Sequence, residues 1–411
     1  MKILIFTEIF DCGGIDTVII NLINSWPNSK DEFVIVANHN YPGLQVIEKN
    51  VNGRALRVEK HYTYIYSNFI NYISSKSSLL MKLVRILSPI IKYLFLAHDV
   101  FALRRVIFKH KADAMIVING GYPGGDSCRA AAICWSLFEG KRSIHNFHNL
   151  ATKPRFVFLI QETIIDILLN LCTAKFITVS KASADSMKNR PCISDEKVGY
   201  IHNGIDVTKI KTGLQNTNIR SELGLSTKTP LCLMLGTYEP RKGHEFLLRS
   251  FKLVLKKVPS AHLVICGYGF PEEVTFVSDL VAKMELNEHI HLFNFRTDAM
   301  SFLPQADVLL VSSQAFESFG LTSVEAMVRK IPVVATNVGG VPEVVCNGDG
   351  GYCVSKDDSH AYSNRIIEFL LDERLRKEQG QKGAERVARM FTSKVMAEKY
   401  YALLQKVAVV E

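Results

Sequence analysis

"VLLVSSQAFESFGLTSVEAMV", residues 308–328, decides the fold. VLLVSS is a short apolar run of the kind that forms a buried strand, ending near Ser313. TSVEAMV reads as a helix beginning near Leu321, and a polar loop joins the two. This is one β-to-α unit. Outward from it, "LCLMLG" (231–236), "HLVICG" (262–267), "HIHLFNF" (289–295) and "PVVATN" (332–337) repeat the strand signal. The N-terminal half carries a second set: "KILIF" (2–6), "FVIVAN" (33–38), "AMIVIN" (114–119), "RSIHNF" (142–147) and "KFITVS" (175–180). "TVIINLINSW" (17–26) reads as the first helix, and the tail 358–409 is helical in pattern.

Alternating strands and helices predict parallel sheets covered on both faces. After "YIHNGID" (200–206) the pattern lapses, and residues 207–229, including "TGLQNTN", read as a linker. The expectation is an α/β chain of two doubly wound, Rossmann-like domains, 1–205 and 206–385, facing a central cleft. Residues 386–411 are expected to pack back toward the N-terminal domain.

The composition fits. A chain of 411 residues, 47% hydrophobic and 22% charged, exceeds one ordinary core and suits two. A net charge of +9 favours phosphates, nucleic acid or an anionic membrane face, without choosing among them. The nine cysteines form no CxxC pair and no zinc-finger spacing, so buried small hydrophobes in a reducing compartment are expected. "MKILIFTEIF" meets Glu8 too early for a signal-peptide core. No run has about 18 uncharged apolar residues, so no transmembrane helix is expected.

Residues 79–108 stand apart: an apolar stretch with Lys82, Arg85, Lys92, Arg104 and Arg105, which Pro89 is expected to break in two. Two readings fit it. It is a pair of amphipathic helices on an anionic membrane surface, or a pair of core-facing helices with basic outer faces.

Several strand ends carry chemistry-bearing residues. Gly13 and Gly14 open "GGID", either a plain turn or a loop whose amides meet an anion; it is not GxGxxG. Arg241 and Lys242 follow Gly236 and precede a helix, as solvated charges or as ligands of a diphosphate. Glu317 lies in the loop after VLLVSS, and Glu325 about one turn into the next helix. Phe319, Gly320 and Leu321 bring amides to that helix's start. An acid/base pair should flank one bond at about 5–10 Å. The placement of the two glutamates suits a longer ligand, one holding ribose hydroxyls and the other a sugar beyond a diphosphate. "NVGGVPEVV" (337–345) adds a Gly-Gly turn and Glu343. In "HNFHNL" (145–150), His148 faces an acceptor or is structural, and His145 is read as structural.

Taken in order, "GGIDTVIINL", "FHNL", "KFITVSKASADSM", "VGYIHNGID", "RKG", "ESFGLTSVE" and "NVGGVPEVV" resemble the retaining glycosyltransferases of family 4, which have the GT-B fold. The resemblance covers nearly the whole chain, and "ESFGLTSVE" is similar to the family's Glu-x7-Glu signature. It implies that Glu317 contacts the transferred sugar, Glu325 grips the ribose, and Phe319 to Leu321 bind donor phosphate and sugar through their amides. It implies that Lys242 neutralises the diphosphate, that His148 sits beside the reacting sugar, and that Gly13 and Gly14 close on the donor. Catalytic roles fall to Glu317, His148 and Lys242, and Asp16 joins His148 on the acceptor side. The family often has Arg directly after the Gly matched by Gly236. This chain has Thr237, and Arg241 is the replacement cation.

The resemblance implies transfer of a hexose or N-acetylhexosamine from a nucleotide-diphosphate sugar, with retention and with no metal or other cofactor. The expected donor is a UDP-sugar, with GDP-mannose the alternative. A glycan or lipid-linked acceptor in bacterial surface polysaccharide assembly is expected, and no nucleic acid. The expected location is cytoplasmic, peripheral on the inner membrane face through 79–108. A non-catalytic nucleotide-sugar-binding subunit and a basic membrane-surface scaffold are the readings from other classes.

Overall fold

The computed structural model describes residues 1–10, 13–63, 66–76, 78–208 and 217–410. Most of "TGLQNTN" lies outside them. The chain forms two compact units, Met1–Gly204 with Ser393–Glu411, and Ile205–Thr392.

In the first unit the strands are β1 (Lys2–Thr7), β2 (Glu32–Asn38), β3 (Leu56–His61), β4 (Ala114–Asn119), β5 (Ser143–Phe147), β6 (Thr173–Thr178) and β7 (Val198–Tyr200). They pair in parallel in the order β3-β2-β1-β4-β5-β6-β7. β1, β2, β4 and β5 are buried almost throughout. That is why they read as continuous apolar runs, and why helices must cover both faces of the sheet. Phe6, Val36, Val117, Trp135, Phe147 and Phe176 belong to one core. The strand order reverses between β1 and β4, so a crevice opens past Thr7 and Asn119 where the connections diverge.

The second unit contains β8 (Leu231–Leu235), β9 (His262–Cys266), β10 (Ile290–Phe293), β11 (Val308–Val311), β12 (Val333–Thr336), β13 (Cys346–Asn347) and β14 (Gly350–Val354). Their order is β10-β9-β8-β11-β12-β14-β13, with the reversal between β8 and β11. The last helix, Ser393–Val410, belongs to the first unit. There Tyr401 meets the buried Trp26 edge-on at 5.6 Å.

Two helices of the first unit matter for function. Residues 78–108 form one helix, Ser78–Phe108, rather than two pieces split at Pro89. A proline removes one ladder hydrogen bond. Burial of Val84, Val100, Leu103 and Ile107 holds the helix on either side of it. Its basic residues Lys82, Arg104 and Arg105 are exposed.

The helix Leu159–Cys172 is partly inside out. Its inner face carries Glu162 and Asp166 beside the core residues Ile165 and Leu169, and its outer face Ile160, Ile164, Ile167, Leu168 and Leu171. The buried carboxylates are held by Arg190, whose side chain is fully enclosed. Arg190 Nη1 donates to Glu162 at 2.7 Å, and its Nε donates to Asp166 at 2.9 Å. The Tyr122 hydroxyl donates to Asp166 at 2.6 Å.

Removing one partner from such a cluster strands a buried charge. Arg190→Met is therefore expected to cost about 3–5 kcal/mol in urea unfolding. An unchanged midpoint would mean that the carboxylates are stabilised without it.

Candidate active site

The second unit brings its charged residues together at the carboxyl ends of β8 and β11, the switch point of the sheet. Pro240–Lys242 forms a single 3-10 turn that ends at Gly243. Gly243 has a φ of +72°, and a Cβ there would lie 2.1 Å from the Ser312 carbonyl oxygen. The backbone touches because two hydrogen bonds clamp the loops. Ser312 Oγ donates to the Lys242 carbonyl at 2.8 Å, and Gln314 N–H donates to the Arg241 carbonyl at 2.8 Å.

Clamped in this way, Lys242 Nζ donates to Glu317 Oε2 at 2.5 Å. Both side chains are mostly buried. Ser313 Oγ reaches the same oxygen at 3.3 Å, and Arg241 Nη1 lies 3.7 Å from it. Glu317 thus sits among two cations and a hydroxyl. Its backbone is fixed independently, because Gly340 N–H donates to its carbonyl at 2.8 Å. The adjoining Gly339 has a φ of +58°, and a Cβ there would be 2.2 Å from that carbonyl oxygen. The Gly-Gly turn of "NVGGVPEVV" therefore positions Glu317. Glu343 lies in the first turn of the short helix Val341–Val344 that follows.

Thr237 takes part in holding Arg241. Its Oγ1 donates to Glu239 Oε1 at 2.8 Å, and Arg241 Nε donates to Glu239 Oε2 at 2.5 Å. The Arg241 guanidinium also lies over the Phe316 ring at 5.1 Å. The hydrogen bond from Arg241 holds the Glu239 carboxyl below its usual range. Glu239, Phe316 and Ser313 are members of the site that sequence reasoning missed. Their signal was proximity to RKG and to Glu317, but charge and ring type alone gave no role.

Gly320, at φ +85°, leads into the helix Leu321–Met327. The Phe319 ring is buried and meets Phe391 edge-on at 5.6 Å, so at Phe319 only the backbone is left for a ligand. Glu325 lies on this helix, within reach of solvent but ringed by protein. Desolvation pushes its pKa up to about 7, and nearby Arg329 lowers it only in part. Arg329 Nη1 donates to the Glu325 backbone carbonyl at 2.8 Å. The two glutamates of the opening motif are thus unlike: Glu317 is ion-paired, and Glu325 is poorly compensated.

In the first unit, His148 follows β5. Its Nε2 is buried without a partner, and burial lowers its pKa to about 4, so the imidazole is neutral near pH 7. His145 is enclosed and stacks on Phe147 at 4.6 Å, as a structural residue would. Gly13 is extended, and Gly14 starts the helix Gly14–Asn24. The Asp16 carboxylate is occupied by its own loop and by the residue Tyr41 that follows β2. It accepts the Gly13 N–H at 3.0 Å and a short hydrogen bond from the Tyr41 hydroxyl. In this arrangement it holds the loop's shape.

The Glu325 shift has a signed consequence. Between about pH 4.5 and 7 the folded state binds more protons than the unfolded one, so stability falls as pH rises. Glu325→Gln should match wild type near pH 4.5 and gain on it up to about pH 7, read as thermal midpoint against pH. A constant difference would show that Glu325 is not desolvated.

Comparison with known proteins gives a consistent pattern. Residues 12–209 match the family described as Glycosyltransferase Family 4, and residues 215–386 match the one described as Glycosyl transferases group 1. The chain is 24% identical over 319 residues to a capsular polysaccharide biosynthesis glycosyltransferase, CapM of Staphylococcus aureus, covering 75% of this chain and 82% of that one. It is 28% identical over 184 residues to N-acetyl-alpha-D-glucosaminyl L-malate synthase of Bacillus anthracis, covering 45% of this chain and 47% of the relative. The match to that relative thus spans about half its length. Among solved structures, Anabaena HepE in complex with UDP superposes with a TM-score of 0.73 at 18% identity, over 99% of this chain and 100% of that one.

Proposed function

Because this chain belongs to the family 4 glycosyltransferases and has their GT-B fold, we propose that it moves a hexose or N-acetylhexosamine from a nucleotide-diphosphate sugar to an acceptor hydroxyl. The observation that carries the reading is the Lys242–Glu317 pair at the switch point of the second sheet, with Arg241 beside it. Without donor, the cations are neutralised by a carboxylate. A bound diphosphate takes over Lys242 and Arg241 and leaves Glu317 to the sugar.

In the proposed reaction the C1–O bond to the β-phosphate breaks as the acceptor oxygen bonds to C1 on the same face, with retention. The departing phosphate oxygen accepts the acceptor's proton. Lys242 and Arg241 stabilise the charge building on that phosphate, with no metal or other cofactor needed for the purpose. Glu325 holds the ribose, the amides of Phe319 to Leu321 meet phosphate and sugar, and neutral His148 hydrogen-bonds beside the reacting ring. Gly14 contributes a loop amide, while the Gly13 N–H is held by Asp16. A UDP-sugar is the donor we favour, supported by the UDP held by the HepE relative.

The acceptor we propose is a lipid-linked glycan of bacterial surface polysaccharide, supported by the likeness to CapM. The inside-out helix favours a lipid surface as its partner. Phe156 and Ile160 are 90% and 78% exposed, and Lys153 and Arg155 are exposed beside them. The exposed cations of 79–108 add to the same attraction. No helix among the described residues is long and apolar enough to cross a membrane.

Thermal unfolding with UDP, GDP, ADP, dTDP and CMP is the first test. At about 100 times the dissociation constant, the matching nucleotide should add ~2.7 kcal/mol. In the transfer assay Lys242→Ala should lower kcat about 100- to 1,000-fold. Binding by none of the five would end the transferase reading. In a separate test, the protein should co-sediment with anionic vesicles at low salt, and Ile160→Asp with Ile164→Asp should weaken this. Equal sedimentation by the variant would move lipid contact elsewhere.

A further inference from the structure

The second unit carries a pair of cysteines for which the donor chemistry has no use. Cys346 lies in β13 and Cys353 in β14. Among the described residues Cys346 is the one exposed cysteine, and Cys353 is half-buried. Two hydrogen bonds bring the second against the first. Cys353 N–H donates to Asn347 Oδ1 at 2.7 Å, and Cys353 Sγ donates to the Val345 carbonyl at 3.1 Å. Val345 and Asn347 are the two chain neighbours of Cys346. Cys353 therefore lies across the backbone of Cys346.

We propose that Cys346 and Cys353 are a thiol–disulfide site: on meeting a low-molecular-weight disulfide they form a reversible bond with each other, closing residues 346–353 into a ring. The assignment does not depend on the transferase reading. A disulfide requires two backbones held within a side chain's reach of each other. The bracketing of Cys346 by the hydrogen bonds of Cys353 supplies this. The segment between them is already folded back. Asp349 N–H donates to the Cys346 carbonyl at 2.9 Å. Arg386 pins the same segment, with Nη1 on Asp349 at 3.1 Å, Nε on the Val344 carbonyl at 2.9 Å and Nη2 on the Glu343 carbonyl at 2.8 Å. Most of the entropy cost of closing the ring is therefore met by the fold before any bond forms.

The two thiols differ in the way a stepwise exchange needs. Cys346 meets solvent, so a small disulfide reaches it first. Burial pushes the Cys353 thiol up to about 12, and nearby Cys346 adds to the rise, so Cys353 stays protonated and does not start the reaction. In the first step the Cys346 thiolate bonds to one sulfur of the small disulfide, whose S–S bond breaks, and a small thiolate leaves. This removes the Cys346 charge from beside Cys353. In the second step Cys353 bonds to the Cys346 sulfur and displaces the second small thiolate, which takes the Cys353 proton. The two cysteines are oxidised, and the small disulfide is reduced to two thiols. An exposed thiol with no resolving partner would end as an adduct or move up the oxidation ladder. The pair ends instead in a bond that thiols reverse.

The test treats the reduced full chain with oxidised glutathione and reads intact mass and non-reducing peptide maps. Wild type should lose both thiol hydrogens in mass and give a peptide in which Cys346 is linked to Cys353, and dithiothreitol should reverse both changes. Cys353→Ser should stop at the first step, with at least about tenfold more glutathione held on Cys346 than in wild type. Serine keeps a donor for the Val345 carbonyl, so this variant should match the wild-type thermal midpoint. Cys346→Ser should give neither the link nor an adduct on Cys353. A wild-type protein that keeps glutathione on Cys346, links Cys346 to a different cysteine, or leaves Cys346 unmodified would overturn the assignment. So would a Cys353→Ser variant with no more adduct than wild type. The wild-type linked peptide decides the proposal even where a variant folds poorly.

Discussion

The chemistry of the second unit depends on backbone touching backbone. At Gly243 and at Gly339 two strand-end loops approach so closely that no Cβ fits between them. Each contact is sealed by hydrogen bonds to carbonyls of the partner loop. The first brings the loop after β8 against the loop after β11, which lets Lys242 reach a residue 75 positions away. The second fixes the peptide that carries Glu317. Side-chain placement here is a result of main-chain crowding, and both glycines have φ values that other residues adopt at a cost.

Electrostatics then divides the acidic residues by environment. Glu317 is surrounded by donors, with Lys242, Arg241 and Ser313 all facing one carboxylate oxygen. Glu325 has cost without full compensation, which is how a group waiting for a ligand's hydroxyls should look. Asp16 has its carboxylate engaged by Gly13 and Tyr41. Similar side chains near strand ends thus differ in availability, and hydrogen-bond partners show it where sequence position does not. In the first unit the same logic marks Glu162 and Asp166 as tied down by Arg190.

Much of this was legible in the sequence, for a physical reason. Strands buried on both faces must be apolar throughout, so β1, β2, β4, β8, β9, β11 and β12 stood out as runs. β3 did not, because "LRVEKH" is a partly exposed edge strand that mixes charge with apolar residues. β7 is three residues long. Pro89 misled, since one lost hydrogen bond weighs little in a helix whose flanks are buried. The RKG and Glu-rich loops were found as pieces, but their pairing depends on which strands are neighbours, and neighbourhood is not written locally. The inside-out helix was the hardest case. "LIQETIIDILLNLC" has a helical pattern either way, and only the folded chain shows which face meets Arg190.

One feature of the connectivity has a bearing on how such proteins diversify. The chain leaves the first unit after Gly204 and returns to it at Ser393. Within the second unit, Ile205 N–H donates to the Phe391 carbonyl at 2.9 Å, so entry and exit lie side by side. The second unit is therefore topologically an insert whose two ends adjoin. Such a module can be exchanged between relatives at a single locus in space, carrying Lys242, Glu317 and Glu325 as a set. Changes in the second unit can then be inherited independently of the first, with the C-terminal helix travelling with the host rather than with the cassette.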